Sequence, residues 1–387
     1  IELAFDEGSI QANGRMAEIN ELELELKQGS PATLYETALQ LFDHHPFMLG
    51  VESKSARGYA LALDLPPGSA KAPTLVLDPD MALGDAFERI LRAGQSHILA
   101  NQAAAADGRD VEGVHQMRVG LRRLRSALSL LRSVTPLPTL ESLREDAKWI
   151  ASAFSDARGW DVFLVETLPE VTRGCAGARG FDNLRAAAER LRAKAYAVVR
   201  ETIAAPRYVR FHLTLGAFIE RRGWQANGGD SRLAALAEDT ATYAARMLAD
   251  HHRKVLKRGR HFRHLPPEAR HQLRIALKKL RYGADFFLGA IGHRRTAERY
   301  LRRLGEFQDQ LGRLNDMAVT GGFIDQLQRM ELDGNAQLAA GMVLGWQARG
   351  LVEAEPAVRA AWHAFRDTEP PWPRHPSDSD KTNDGSA

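Results

Sequence analysis

The sequence predicts an all-α protein of two helical bundles related by a pseudo-twofold axis, preceded by a small α+β fragment. Three observations carry this. From Met81 to about Asp367 apolar residues recur at helical spacing and strand patterning disappears. Within that span the stretch HQMRVGLRRLR, His115 to Arg125, returns as HQLRIALKKLR, His271 to Arg281, and such a repeat implies a duplicated unit. Residues 1–64, by contrast, alternate polar and apolar side chains.

In chain order, IELAFDEGSI and RMAEINELELELK flank a Gly-containing turn and read as an antiparallel hairpin. SPATLYETALQLF follows as a helix, with Ser30 as N-cap and Pro31 at its first position. MLGVESKSARGYALAL resumes the alternation and reads as further strand. Residues 65–80, rich in Pro, Gly and Ala, form a linker with one short strand. The first bundle is expected over 81–222, a linker containing GWQANGGD over 223–232, and the second bundle over 233–366. The Pro- and Ser-rich stretch 367–387 reads as a disordered tail. Ile1 already stands inside an alternating pattern, as in a segment of a longer protein.

Composition bounds the function. At 387 residues the chain can bury more than one core, and 44% hydrophobic with 26% charged residues is globular. The lone Cys175 excludes a disulfide framework. No apolar run approaches the roughly 18 residues of a membrane span, and no signal-peptide pattern opens the chain, so a cytoplasmic location is the default expectation. The net charge of +3 hides its distribution: His251 to Arg303 holds sixteen Lys and Arg against Glu268, Asp285 and Glu298. Charge acts locally, over a Debye length of about 10 Å.

The repeat places that charge on one face. At 100° per residue His115, Arg118, Arg122 and Arg125 fall within about 80° of arc, beside a stripe of Val114, Met117, Leu121, Leu124, Leu128 and Leu131. His271, Arg274, Lys278 and Arg281 occupy the same positions in the second copy. Basic residues beside a core stripe are ordinarily solvated or ion-paired. Here no Asp or Glu occurs between Val114 and Leu140, and Asp285 is alone in the second copy. Like charges at i,i+3 and i,i+4 repel, so a face kept cationic twice points to an external anion. Arg offers planar forks for phosphate oxygens, and Lys278 and Lys279 offer point charges. His115 and His271 near helix N-termini fit either anion binding or a satisfied capping role.

Other clusters carry weaker signals. DHHRKVLKRGRHFRH, residues 250–264, could suggest zinc, but the cations interleaved with its histidines favour anions instead. Arg295, Arg299 and Arg302 form a further basic edge within about 60° of arc. Arg158 with Asp161, and Arg313 with Asp316, share a spacing that suggests structural salt bridges or caps. Glu23, Glu25 and Lys27 alternate on one strand face, which suits either a divalent cation for triphosphate chemistry or plain solvation. The helical part offers no carboxylate cluster and no nucleophile beside a base, so no catalytic residue, metal or cofactor is expected. Single-stranded nucleic acid would call for aromatic platforms among the cations. Phe286 and Phe287 fall at apolar positions instead, which disfavours it.

VHQMRVGLRRLRSAL paired with RHQLRIALKKLRYGADFF, followed by LGEFQDQLGRLNDMAV, resembles the CHAD family, named for its histidine-bearing α-helical domain, over about residues 75–366. EINELELELKQGSPATLYETALQLF in residues 1–64 resembles the last strands and a helix of a CYTH, or triphosphate tunnel, domain. That family's ExExK signature lies on its first strand, so the match at Glu23 to Lys27 is coincidental, and without the first strands hydrolysis is not expected. The CHAD resemblance implies two bundles lining a basic central pore that binds inorganic polyphosphate without catalysis, with association with polyphosphate granules. Nucleic acid and inositol polyphosphates stand as alternative ligands. Carried over are His115, Arg118, Arg122, Arg125, His271, Arg274, Lys278 and Arg281. Arg123, His251, Lys254, Lys257, Lys279, Arg295, Arg299 and Arg302 form an outer set.

Overall fold

The computed structural model describes residues 1–226, 229–291 and 294–372. The described chain is all-α apart from one small N-terminal sheet. Strands β1 (Glu2–Ala12) and β2 (Arg15–Glu25) pair antiparallel, with Phe5 opposite Leu22. Their turn is Asn13-Gly14, both at positive φ, a sequence suited to a tight hairpin. Helices follow as α1 (Ala32–His44), α2 (Lys54–Leu63), α3 (Leu83–Ala100), α4 (Gln102–Asp107), α5 (Val111–Val134), α6 (Pro138–Ala153), α7 (Ser155–Val162) and α8 (Leu168–Gly174). Then come α9 (Phe181–Ala204), α10 (Pro206–Glu220), α11 (Asp230–Ala237), α12 (Thr240–Gly259), α13 (Pro267–Phe287), α14 (Arg294–Gln328) and α15 (Gly334–Arg366).

Two sequence expectations change here. The stretch from Lys54 to Leu63, expected as strand, is helix α2. Ser53 caps it by accepting from the Ala56 amide at 3.2 Å, and the Ala and Leu residues behind that cap are strong helix formers. The short strand expected within 65–80 is absent, and only Ala82 makes an isolated bridge, to Asp239. The expected helix after Gly29 forms as α1, with Ser30 Oγ accepting from the Ala32 amide. Most of the expected tail lies outside the described residues, but Trp372 within it is buried.

The chain divides into two compact units. The first holds Ile1–Leu75, Phe87–Leu236 and Thr320–Trp346. In it α1 packs on α10 through Ala38, Phe42, Val209 and Leu213, with Leu24 of β2 and Tyr35 against the same cluster. Helix α5 approaches its neighbours closely because Gly113 and Gly120 lack side chains: a Cβ on Gly113 would stand 2.6 Å from the Ala104 backbone. Further on, Trp160 of α7 meets Phe323 edge-on at 4.8 Å.

The second unit holds Val76–Ala86, Ala237–Val319 and the chain from Gln347. Here α12 packs on α13, and Thr240 ties back to Met81 through both its amide and its hydroxyl. An aromatic core gathers Phe262, Phe307, Trp362 and Phe365, with Phe262 stacked on Trp362 at 5.7 Å. Trp372 packs against Tyr300 at 5.1 Å, and Tyr300 hydrogen-bonds His252 Nδ1 at 2.8 Å.

Candidate functional site

The first repeat helix is fixed at its N-terminus and along one side. Asp110 caps α5, accepting from the Glu112 amide at 2.8 Å, and its other oxygen accepts from the Ser69 hydroxyl. The expected stripe is the buried side: Val114, Met117, Leu121, Leu124, Leu128 and Leu131 are all buried. Gln116 is buried beside it, accepting from His97 Nε2 at 3.1 Å and donating to Glu112 at 2.6 Å. This packing leaves the polar arc at the core's margin, and His115, Arg118, Arg122, Arg123 and Arg125 are each half-buried.

Two of these side chains are held specifically. Arg118 Nη1 donates to the Ala151 carbonyl at the end of α6 and to the Ser155 hydroxyl at the start of α7, each at 2.8 Å. The His115 imidazole lies below its ordinary pKa, first because it is partly desolvated, then because Arg158 of α7 and Arg122 and Arg118 of its own helix act on it, with Glu112 opposing. Arg158, on a helix packed against α5, therefore adds its charge to the surroundings of His115.

The sequence pointed to Arg158 for another role. The expected Arg158–Asp161 bridge does not form. Asp161 is fully buried and takes Arg192 Nε at 2.7 Å and the Tyr196 hydroxyl at 2.9 Å. Arg158 instead pairs with an exposed carboxylate, Glu166, at 3.6 Å, while its charge still acts on Asp161. In the second unit Arg313 and Asp316 are both exposed, so they make no buried bridge either. The signal for Arg158 lay in its position after the repeat, but nothing in sequence fixed which neighbour it would face.

The second repeat helix, α13, begins at Pro267 and buries Leu273, Ala276, Leu277, Leu280, Phe286 and Phe287. Arg274, Lys278 and Arg281 are half-buried, as in the first copy, but His271 is exposed. Arg281 donates to the Leu301 carbonyl at 2.8 Å and pairs with Asp285 at 3.1 Å, so this cation is partly neutralised. On the same helix Lys279 acts with Lys254 of α12 on His251, which burial pushes down to about 4. Lys254, Lys257, Lys279, Arg295, Arg299 and Arg302 are exposed.

The carboxylates of the hairpin meet a lysine. Asp6, Glu21 and Glu23 lie close enough together to hold a cation, and Lys54 of α2 stands among them at 2.5, 2.9 and 2.6 Å. Its ammonium supplies the positive charge that a metal would bring, and the three carboxylates in turn hold Lys54 above its usual pKa. Glu25 pairs with Lys27 at 2.8 Å, so the alternating acids serve local ion pairs.

A buried apolar stripe with a half-buried cationic edge, written twice, defines a class of duplicated helical protein. The family model of the CHAD domain matches residues 89–325. The crystal structure of the CHAD domain from the plant Ricinus communis is similar at 33% identity and a TM-score of 0.67, over 78% of this chain and 99% of that one. PptA from Streptomyces chartreusis shares the fold at 18% identity and a TM-score of 0.54, over 73% of this chain and 100% of that one. The chain belongs to the CHAD domain family. Among the described residues no helix is long and apolar enough to cross a membrane.

Proposed function

We propose that this protein binds inorganic polyphosphate through the cationic faces of α5 and α13, without chemical turnover. The observation that carries the reading is the half-buried row His115, Arg118, Arg122 and Arg125, anchored to a rigid core and matched in the second copy by Arg274, Lys278 and Arg281. Half-burial supports it because guanidinium groups partly stripped of water bind phosphate oxygens more strongly than freely solvated ones do. Extended polyphosphate presents one anion after another, which suits a row of cations along a helix. Lys254, Lys257, Lys279, Arg295, Arg299 and Arg302, exposed on α12, α13 and α14, would add long-range attraction.

Residues 1–64 as the closing part of a CYTH domain form part of the same proposal. No catalytic role is assigned to them, since Lys54 and Lys27 engage their carboxylates. Calorimetry with polyphosphate, single-stranded DNA and an inositol polyphosphate side by side tests the reading. Tightest binding of polyphosphate supports it, and equal or tighter binding of either competitor overturns it. Phosphate release in proportion to protein, with Mg²⁺ or Mn²⁺ present, would overturn the non-catalytic part.

A further inference from the structure

We infer that the first copy of the site extends on to α7 through Arg158, and that a phosphate chain binding there draws a proton on to His115. The inference rests on the polyphosphate reading and adds a residue and a proton to it.

The geometry begins with two helices meeting. Helix α5 supplies His115 with Arg118 and Arg122 at i+3 and i+7 on the same face. Helix α7 packs on α5, and Arg118 fastens the junction through Ala151 and Ser155. Arg158, one turn into α7, then stands as the cation acting most strongly on the ring. Among the described residues Glu112 is the acid that acts on His115, and its carboxylate already accepts from Gln116 at 2.6 Å. Glu166 is the acid nearest Arg158, at 3.6 Å and mostly exposed. Three guanidinium groups thus act on the imidazole, with one carboxylate opposing.

Such a ring stays neutral near neutrality, because a fourth positive charge in a partly desolvated place is unfavourable. An anion reverses this. Phosphate oxygens that settle on Arg118, Arg122 and Arg158 cancel the repulsion and can accept a hydrogen bond from a protonated ring. The imidazole then takes one proton from solvent and becomes imidazolium, and no other bond is made or broken. By linkage, affinity is greatest where the ring is protonated in the complex, and it falls as pH rises through the raised pKa of the bound state. Each unit by which binding raises that pKa gives roughly tenfold in affinity at the acid limit.

The second copy supplies an internal control. His271 is exposed on α13 and Arg313, the counterpart of Arg158, is exposed on α14. Half-burial of His115 and the packing of α7 on its helix single out the first copy.

The test is titration of the whole chain with a defined polyphosphate at about pH 7, in two buffers of matched ionic strength and different ionisation enthalpy. The terminal phosphates of the ligand also titrate, so the informative quantity is the difference in proton uptake between wild type and His115→Gln. Uptake of up to one extra proton per chain in wild type, lost in His115→Gln and kept in His271→Gln, is the expected result. Arg158→Gln should weaken binding and reduce the uptake together, because the ring is then easier to protonate before the ligand arrives. Equal uptake in wild type and His115→Gln, with binding intact in both, overturns the inference and leaves polyphosphate binding standing. Unchanged affinity in Arg158→Gln removes Arg158 from the site. Absence of binding by wild type overturns the functional reading and this inference with it.

Discussion

Arg118 donates from one guanidinium nitrogen to the carbonyl oxygen of Ala151 at 2.8 Å, closing the last turn of α6 against the repeat helix. The residue thus does two things at once. Its charge belongs to the cationic face, while its hydrogen bonds to Ala151 and Ser155 join the repeat helix to the α6–α7 junction, where the Ser155 hydroxyl also donates to Ala151.

Arg118 and Arg122 should therefore separate in their effects. Replacing Arg118 by Ala is expected to weaken polyphosphate binding and to lower stability by about 0.5–1.5 kcal/mol, the usual net worth of a hydrogen bond whose partners stay in reach of water or of each other. Arg122→Ala should weaken binding with stability nearly unchanged, since it stands outside the apolar stripe. Urea denaturation of both variants checks this; equal destabilisation would contradict it.

Binding should depend steeply on salt. Each contacted phosphate releases counterions, and the slope of log K against log salt is about 0.7–0.9 per contact in nucleic acids, borrowed here by analogy. Affinity that stays flat between low and moderate salt would exclude a multi-phosphate contact.

Charge removal in either copy should weaken binding of a long chain and flatten that slope. Arg274→Ala with Lys278→Ala tests the second copy and Arg122→Ala the first. The repeat led the sequence to predict one shared site, and stoichiometry decides this point. A single binding event with lower affinity in each variant agrees with it. A stoichiometry halved at unchanged affinity means two independent sites.

Asp161 is the costliest carboxylate to disturb. It is fully buried, pairs with Arg192 at 2.7 Å and accepts from Tyr196, whose ring Arg192 also overlies at 4.2 Å. Removing one member of a buried pair leaves the other uncompensated, typically about 3–5 kcal/mol. Asp161→Ala should lose that much in chemical denaturation, while Asp316→Ala, at an exposed position, should lose little.

Acid should destabilise the first unit through His212. Its ring is buried between Tyr208 and Phe211, neither nitrogen has a hydrogen-bond partner among the described residues, and burial lowers its pKa to about 3. The folded value lies below the unfolded value of about 6.5, so the unfolded chain binds the extra proton. The stability contributed by the neutral ring is complete above about pH 6.5 and declines by about 1.4 kcal/mol per unit as pH falls toward 3. His212→Leu should show a correspondingly flatter stability profile over that window. Equal slopes in the two proteins would refute the assignment.

What the sequence determined was everything set by local periodicity. The stripe Val114, Met117, Leu121, Leu124, Leu128 and Leu131 is buried as its spacing requires, and the Arg edge of each copy falls beside its core. The hairpin at Asn13-Gly14 and the helix after Ser30 were equally legible, because turn and cap chemistry act within a few residues. Helix α2 escaped because a short alternating run fits either period, and the Ser53 cap with packing on the hairpin decided it.

Tertiary structure alone chose the partners of charged groups. Asp161 sits three residues after Arg158, yet it pairs with Arg192, while Arg158 pairs with Glu166 and its charge acts on His115. Arg281 of α13 also donates to the Leu301 carbonyl of α14, a partner that no spacing within the repeat announces. His115 and His271 are identical in motif, but one is half-buried and the other exposed. A helical period fixes which face a side chain leaves from. Which long, flexible cation meets which carboxylate, and how much water each keeps, depends on helices distant in sequence, and only their packing settles it.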